Sequence, residues 1–219
     1  MRLTRAAATL CLIFALMLGA SGCAKEILPS RGSVTVLTLI DFQRDYLSHN
    51  GRMRVAQDQI DPMIKATNAL IVAMRQQAMP VVYTLNEYSP FEVVGDFARN
   101  FSAMRYEPGA TLDPRINDVA GVYFGKDEAS AFANDQFDEH LELIGTGRLV
   151  IAGVYADHSV MATAEDALKR GYTVTVISDA VAARDDQHRD DALQKLKAAG
   201  AEVETSDQFI ASLGAENKG

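Results

Sequence analysis

Val34-Thr-Val-Leu-Thr-Leu-Ile40 is an unbroken β-rich run that stops at Asp41. A half-exposed strand alternates polar and strongly apolar side chains, whereas a run without that alternation reads as a strand buried on both faces. Val81-Val-Tyr-Thr-Leu85, Val119 to Phe124, Arg148-Leu-Val-Ile-Ala152, Tyr172 to Ile177 and the short Ala201 to Val203 extend the series. Segments of helical character lie between them. One covers Ile60 to Gln77, with Asp61 and Pro62 at its start, and one ends near Ile144. Ser159 to Arg170 is stopped by Gly171, Asp190 to Ala199 follows, and a last helix begins at Asp207. Parallel strands need crossover connections, and helices supply them. The alternation therefore predicts an α/β fold: a Rossmann-like, doubly wound sheet, mostly parallel, of about six strands with helices on both faces.

In such sheets ligands bind beyond the carboxyl ends of the strands. Asp41, Asn86, Lys126 and Tyr155 all fall there. Between the second and third strands, Asn86 to Asp118 carries Pro90, Gly95, Pro108, Gly109 and Pro114 and reads as a mostly irregular excursion, the kind of long connection that carries function.

The front of the chain reads differently. Arg2 and Arg5 precede an apolar run from Ala6 to Ala20, and Ala20-Ser-Gly-Cys23 closes it. The run is too short to span a bilayer and has the form of a secretory signal. Small residues directly before a cysteine resemble a bacterial lipobox. Residues 1–22 are thus expected to be a lipoprotein signal peptide, Cys23 the lipidated residue, 23–33 a tether and 34–219 one domain. That places the protein in the bacterial cell envelope, facing the periplasm and held to the membrane by its N-terminal lipid. Losing Arg2 and Arg5 takes the basic residues from 21 to 19 against 29 acidic ones, so the formal charge moves from -8 to -10. Such a surface repels nucleic acid, and an anionic substrate needs a local group of basic side chains. The two cysteines, Cys11 and Cys23, both lie in this front segment. No disulfide and no thiol chemistry is therefore available to the domain.

Four motifs in order carry a resemblance: Asp41-Phe-Gln43; Lys126 followed by Ser130-Ala-Phe132; Gly153-Val-Tyr-Ala-Asp-His-Ser159 running on to Ala167; and Asp179-Ala180 with His188 beyond. From about Val34 to Leu213 the chain resembles the isochorismatase-like hydrolases. In most of that family an aspartate, a lysine and a cysteine cleave amides, which maps Asp41 and Lys126 onto the first two and puts Ser159 at the cysteine position. A serine hydroxyl is far less acidic than a thiol at a helix N-terminus, so the family's ordinary amidase chemistry is expected to be lost. Ser159 is expected to cap the helix it opens. The nicotinamidase branch holds a metal with histidines just after the second strand. Here that stretch is Asn86-Glu-Tyr-Ser-Pro90, so neither a metal nor another cofactor is expected.

Gly153-Val-Tyr-Ala156 is similar to the thiol-independent isochorismatase branch. The resemblance implies general-acid cleavage of a vinyl ether, with Asp41 as the acid and a small-molecule substrate such as isochorismate or a related enol ether or carboxylate. Gln43, Asn86, Tyr155 and Arg99 are then the expected substrate contacts. That branch carries an arginine nine residues after the position of Asn86, which here is Gly95, and the nearest candidates are Arg99 and Arg105. Two other readings stay open: a serine-dependent amidase using Ser159, and a lipoprotein that binds a small ligand without turnover. Family members commonly form homodimers or homotetramers. His188 is expected to fix a loop.

Overall fold

A computed structural model describes residues 31–90, 93–119 and 121–216. The expected signal peptide, Cys11, Cys23 and most of the tether lie outside these residues. In chain order the elements are β1 (Val34–Ile40), α1 (Arg44–Leu47), α2 (Gln57–Gln76), β2 (Val81–Asn86), α3 (Val93–Ala98), β3 (Val122–Lys126), α4 (Asp135–Leu143), β4 (Thr146–Val154), α5 (Met161–Lys169), β5 (Thr173–Ala182), α6 (Asp186–Ala198), β6 (Glu202–Glu204) and α7 (Ser206–Glu216).

The six strands form one sheet in the order β3-β2-β1-β4-β5-β6, and every pairing is parallel. The expected α/β architecture is the observed one. Side chains alternate across each central strand and feed two cores. From β1, Leu37 and Leu39 join Val150, Ala152 and Val154 of β4 under α1, α2 and α7; Val36 and Ile40 join Leu149 and Ile151 under α4, α5 and α6. A strand with a core on each side has no polar face to show, which is why its sequence lacks alternation.

β1 and β4 approach closely at their carboxyl ends, where Ile40 pairs with Gly153. Gly153 has φ +143°, and a Cβ there would lie 2.1 Å from the Ile40 carbonyl oxygen. Only glycine permits this contact, which brings the residues following both strands, Asp41 and Tyr155, to the same end of the sheet.

Several boundaries differ from expectation. α2 begins at Gln57, so Pro62 stands inside the helix and not at its start. Tertiary hydrogen bonds hold the earlier turn: Ala56 N–H donates to the Ala183 carbonyl, and the Gln59 side chain accepts from Ala183 N–H and donates to Asp186. α6 begins at Asp186, four residues earlier than expected, because Asp185 caps it by accepting from His188 N–H. His188 therefore sits in the first turn of a helix, with Nδ1 2.6 Å from the Asp185 carboxylate. The excursion from Asn86 to Asp118 is mostly irregular, with α3 and a 3-10 turn at Pro108–Ala110 set into it.

Candidate active site

Asp41 is the first residue beyond β1. It is 1 % exposed and adopts φ 56°, a left-handed conformation that few residues other than glycine, asparagine and aspartate tolerate. One of its oxygens, Oδ2, accepts from Lys126 Nζ at 2.9 Å and from Asn86 Nδ2 at 2.8 Å. Lys126 closes β3 and Asn86 closes β2, so three adjacent strands deliver these groups at one level. The Asn86 amide links the set: its Oδ1 accepts from Lys126 Nζ at 2.7 Å, and its Nδ2 also donates to the Tyr46 hydroxyl at 3.1 Å. Lys126 donates further to the Glu128 carbonyl at 3.2 Å and reaches Ser159 Oγ at 3.4 Å.

The second carboxylate oxygen, Asp41 Oδ1, is buried and has no hydrogen-bond partner. The Ser159 hydroxyl is near enough to favour the ionised carboxyl, but no hydrogen bond of ordinary geometry reaches Oδ1. The two oxygens are thus unequal: Oδ2 accepts from two donors, and Oδ1 from none. Burial pushes the Asp41 pKa above its usual 3.8, outweighing the opposing charge of Lys126, the nearby Ser159 hydroxyl and the hydrogen bonds from Lys126 and Asn86. A buried carboxyl that keeps its proton to higher pH, beside a lysine, is equipped to give that proton away.

Ser159 is 3 % exposed and does not cap a helix. It lies inside a π-helical turn, Ala156–Val160, whose N-cap position is Tyr155, and its hydroxyl points to Lys126 and not to a backbone N–H. The extra residue of the π turn rotates Ser159 inward, which a cap reading based on position cannot foresee. Ser130-Ala-Phe132 opens a 3-10 turn in which Ser130 Oγ accepts from Phe132 N–H, and Ala131 N–H donates to Thr163 of α5. The motif thereby fastens the segment after Lys126 to the helix that follows Ser159.

The remaining sequence-predicted residues divide. Gln43 is fully buried, with Nε2 donating to the Asn86 and Ala110 carbonyls, both at 2.7 Å, and Oε1 accepting from Asn86 N–H at 2.8 Å. All of its amide is committed to backbone, so it clamps the end of β2 and offers no group to a substrate. Arg99 lies at the end of α3, with its guanidinium 3.8 Å over the Tyr88 ring and Nη2 3.1 Å from Asp96 Oδ1. These contacts hold it against Tyr88 and Asp96 of the excursion. Tyr155 donates its hydroxyl to the Met53 carbonyl at 2.6 Å and packs edge-on against Tyr46, with ring centroids 5.8 Å apart. Burial also lifts its pKa far above the usual 10.

Tyr46 was not anticipated. It is 3 % exposed, and burial, then the charge of Asp41, raises its pKa well above 10. The one turn of α1 after Gln43 folds it back onto Asn86, a return that the spacing Asp41-Phe-Gln43-Arg-Asp-Tyr46 would have signalled. Among the described residues, no group of three or more His, Cys, Asp or Glu side chains is arranged to hold a metal ion.

The isochorismatase domain model matches residues 35–208, most of the chain. The chain belongs to the isochorismatase family. Members of this family are hydrolases. The chain is similar to enterobactin synthase component B of Escherichia coli (strain K12), 32 % identical over 62 % of this chain and 50 % of that protein. The chain thus spans about half the length of the curated relatives that it matches first. It is also similar to the secreted isochorismatase effector Isc1 of Verticillium dahliae, 28 % identical over 80 % of this chain and 87 % of that protein. An isochorismatase-like hydrolase structure from Alkaliphilus metalliredigens superposes with TM-score 0.76 at 22 % identity, covering 82 % of this chain and 99 % of that one. In this family frame, the shared fold carries Asp41, Lys126 and Ser159 on the ends of β1 and β3 and in the turn after β4.

Proposed function

We propose that this isochorismatase-family hydrolase cleaves isochorismate, or a related small enol ether bearing carboxylates, by general-acid catalysis from Asp41 and without a covalent intermediate. The observation that carries this reading is the buried Asp41 carboxyl with one saturated and one unpartnered oxygen, its pKa raised by burial. The likeness to an isochorismatase effector supports it.

In this reaction Asp41 Oδ1 gives its proton to the terminal enol carbon, leaving an oxocarbenium ion at the ether carbon. Water adds there, and the resulting hemiketal releases pyruvate and the ring alcohol, with one proton returned to Asp41. Lys126 and Asn86 stabilise the carboxylate formed when the proton leaves. A substrate carboxylate near Lys126 absorbs part of its field, which keeps Asp41 protonated in the complex. Ser159 lends its hydroxyl to that environment as a polar neighbour and does not attack.

The 3.4 Å approach of Lys126 Nζ to Ser159 Oγ keeps a second reading in view, in which Ser159 attacks a small amide with Lys126 or Asp41 as base. Incubating the full chain with isochorismate and with a panel of small amides separates them: pyruvate supports the acid mechanism, ammonia the serine mechanism. Product from neither, with tight ligand binding, points to the non-catalytic lipoprotein. We also propose that Cys23 carries lipid, placing the domain at the periplasmic face of a bacterial envelope membrane, and that the domain pairs as a homodimer or homotetramer.

A further inference from the structure

The Asn86 side chain is held from three sides. Its Oδ1 accepts from Lys126, and Nδ2 donates to Asp41 Oδ2 at 2.8 Å and to the Tyr46 hydroxyl at 3.1 Å. Two of these partners hold the amide conditionally. A carboxylate only accepts, so it draws the amide nitrogen, whereas a protonated carboxyl both donates and accepts and tolerates either end of an amide. Lys126 shares its hydrogens among Asp41, Asn86 and the Glu128 carbonyl and also approaches Ser159, so it does not depend on the amide oxygen. The third partner does not change with the proton. We infer that Tyr46 is a positioning residue whose hydroxyl fixes the Asn86 amide with its nitrogen toward Asp41, whether or not that carboxyl carries its proton. The inference deepens the general-acid reading, on which its meaning for turnover rests: with a donor fixed at Oδ2, the proton stays on Oδ1, the oxygen that the proposed reaction uses.

Three observations carry it. First, Tyr46 is placed by its own surroundings and not by the charges of the cluster. It is 3 % exposed, its N–H donates to the Gln43 carbonyl at 3.0 Å, its carbonyl accepts from Val55 N–H at 3.1 Å, and its ring stands edge-on to Tyr155. Second, the direction of its hydrogen bond is set. A tyrosine hydroxyl both donates and accepts, so alone it would tolerate a flipped amide. Ser102, fully buried, donates to Met53 Sδ at 3.7 Å, and a thioether sulfur has no hydrogen to return. That leaves the Ser102 oxygen as an acceptor beside the Tyr46 hydroxyl. The Tyr46 hydrogen turns to it, and the Tyr46 oxygen is left to accept from Asn86. Third, Gln43 clamps the Asn86 main chain by taking both its N–H and its carbonyl. Rotation of the side-chain amide is the freedom that remains, and the Tyr46 hydroxyl removes it.

The titratable groups facing Asp41 are Lys126 from β3 and Tyr46 from α1, with Ser159 and Asn86 as uncharged neighbours. Burial, then the charge of Asp41, raises the Tyr46 pKa well above 10, so its hydroxyl stays neutral while Asp41 titrates. Without that hydroxyl the amide turns between two orientations. The carboxylate then loses, for part of the time, a hydrogen bond that favours its charged form, and it binds its proton more tightly.

The test is 13C NMR of the aspartate side-chain carboxyls across pH in the full chain, comparing wild type, Tyr46→Phe and Tyr83→Phe, with the Asp41 signal assigned by its loss in Asp41→Asn. Tyr83 lies on β2, the strand that Asn86 closes, and donates its hydroxyl to the Asn117 carbonyl at 2.8 Å, so Tyr83→Phe reports general loosening of that strand. Tyr46→Phe keeps the ring and its contact with Tyr155 and removes the hydroxyl alone. We expect the proton affinity of Asp41 to rise at least about threefold in Tyr46→Phe and to keep the wild-type value in Tyr83→Phe. An unchanged or lowered affinity in Tyr46→Phe, or an equal rise in both variants, overturns the inference. The measurement uses no substrate, so its failure is distinct from failure of the acid mechanism, which pyruvate release decides.

Discussion

Lys126 Nζ lies 2.9 Å from Asp41 Oδ2 although the two residues are 85 positions apart, and both side chains are 1 % exposed. A buried pair of this kind is costly to break from one side, because the survivor keeps its charge in a poorly solvating interior. Lys126→Ala is therefore expected to lower stability by about 3 to 5 kcal/mol at neutral pH. The deficit should shrink toward acid pH, since a protonated Asp41 no longer needs its counterion. Urea unfolding of both proteins across that range checks the magnitude and the direction.

The raised Asp41 pKa sets the sign of the pH dependence. A carboxyl that binds its proton more tightly in the fold than in the unfolded chain contributes stability below the usual 3.8, and that contribution is lost as pH rises through the folded value. In the proposed mechanism the protonated form is also the catalytic one. Turnover is thus expected to be level on the acid side and to fall as pH rises through the Asp41 value, which lies above its usual 3.8. A kcat profile without such a limb counts against an acid role for Asp41.

Gln43 offers a different kind of test, because its three buried hydrogen bonds are all structural. Gln43→Ala leaves two carbonyls and one N–H without partners, at about 1 to 3 kcal/mol for each group that water does not reach. The expected result is a loss of at least about 3 kcal/mol in chemical denaturation, with activity falling through the shifted Asn86.

Tyr155→Phe removes the hydroxyl that seals against Met53. A single partly exposed hydrogen bond contributes about 1 kcal/mol, so stability should fall by that amount. The more informative reading is kinetic: if the seal gates entry, the substrate association rate rises in Tyr155→Phe. An unchanged rate would show that the Met53 segment opens independently of this bond.

The fold was legible because burial of β1 and β4 on both faces suppresses alternation, and because helices separate the strands. Asp41, Asn86 and Lys126 were legible for the same reason, as polar residues at strand ends. Less accessible were features set by tertiary hydrogen bonds. Gln59 and Ala183 draw the start of α2 back past Pro62, and the π turn after Tyr155 turns Ser159 inward. Gln43 and Arg99 were expected as substrate contacts, and the partners that orient them, Ala110, Asp96 and Tyr88, are contacts that only the folded excursion creates. Tyr46 needed no such distant information, only attention to the return of a one-turn helix.

The central claim is most directly tested by measuring pyruvate release from isochorismate with Asp41→Asn and Ser159→Ala side by side. Proton donation from Asp41 predicts a rate reduced by at least about a hundredfold in Asp41→Asn, with Ser159→Ala keeping most of the wild-type rate. Abolished turnover in Ser159→Ala alongside substantial turnover in Asp41→Asn would contradict it.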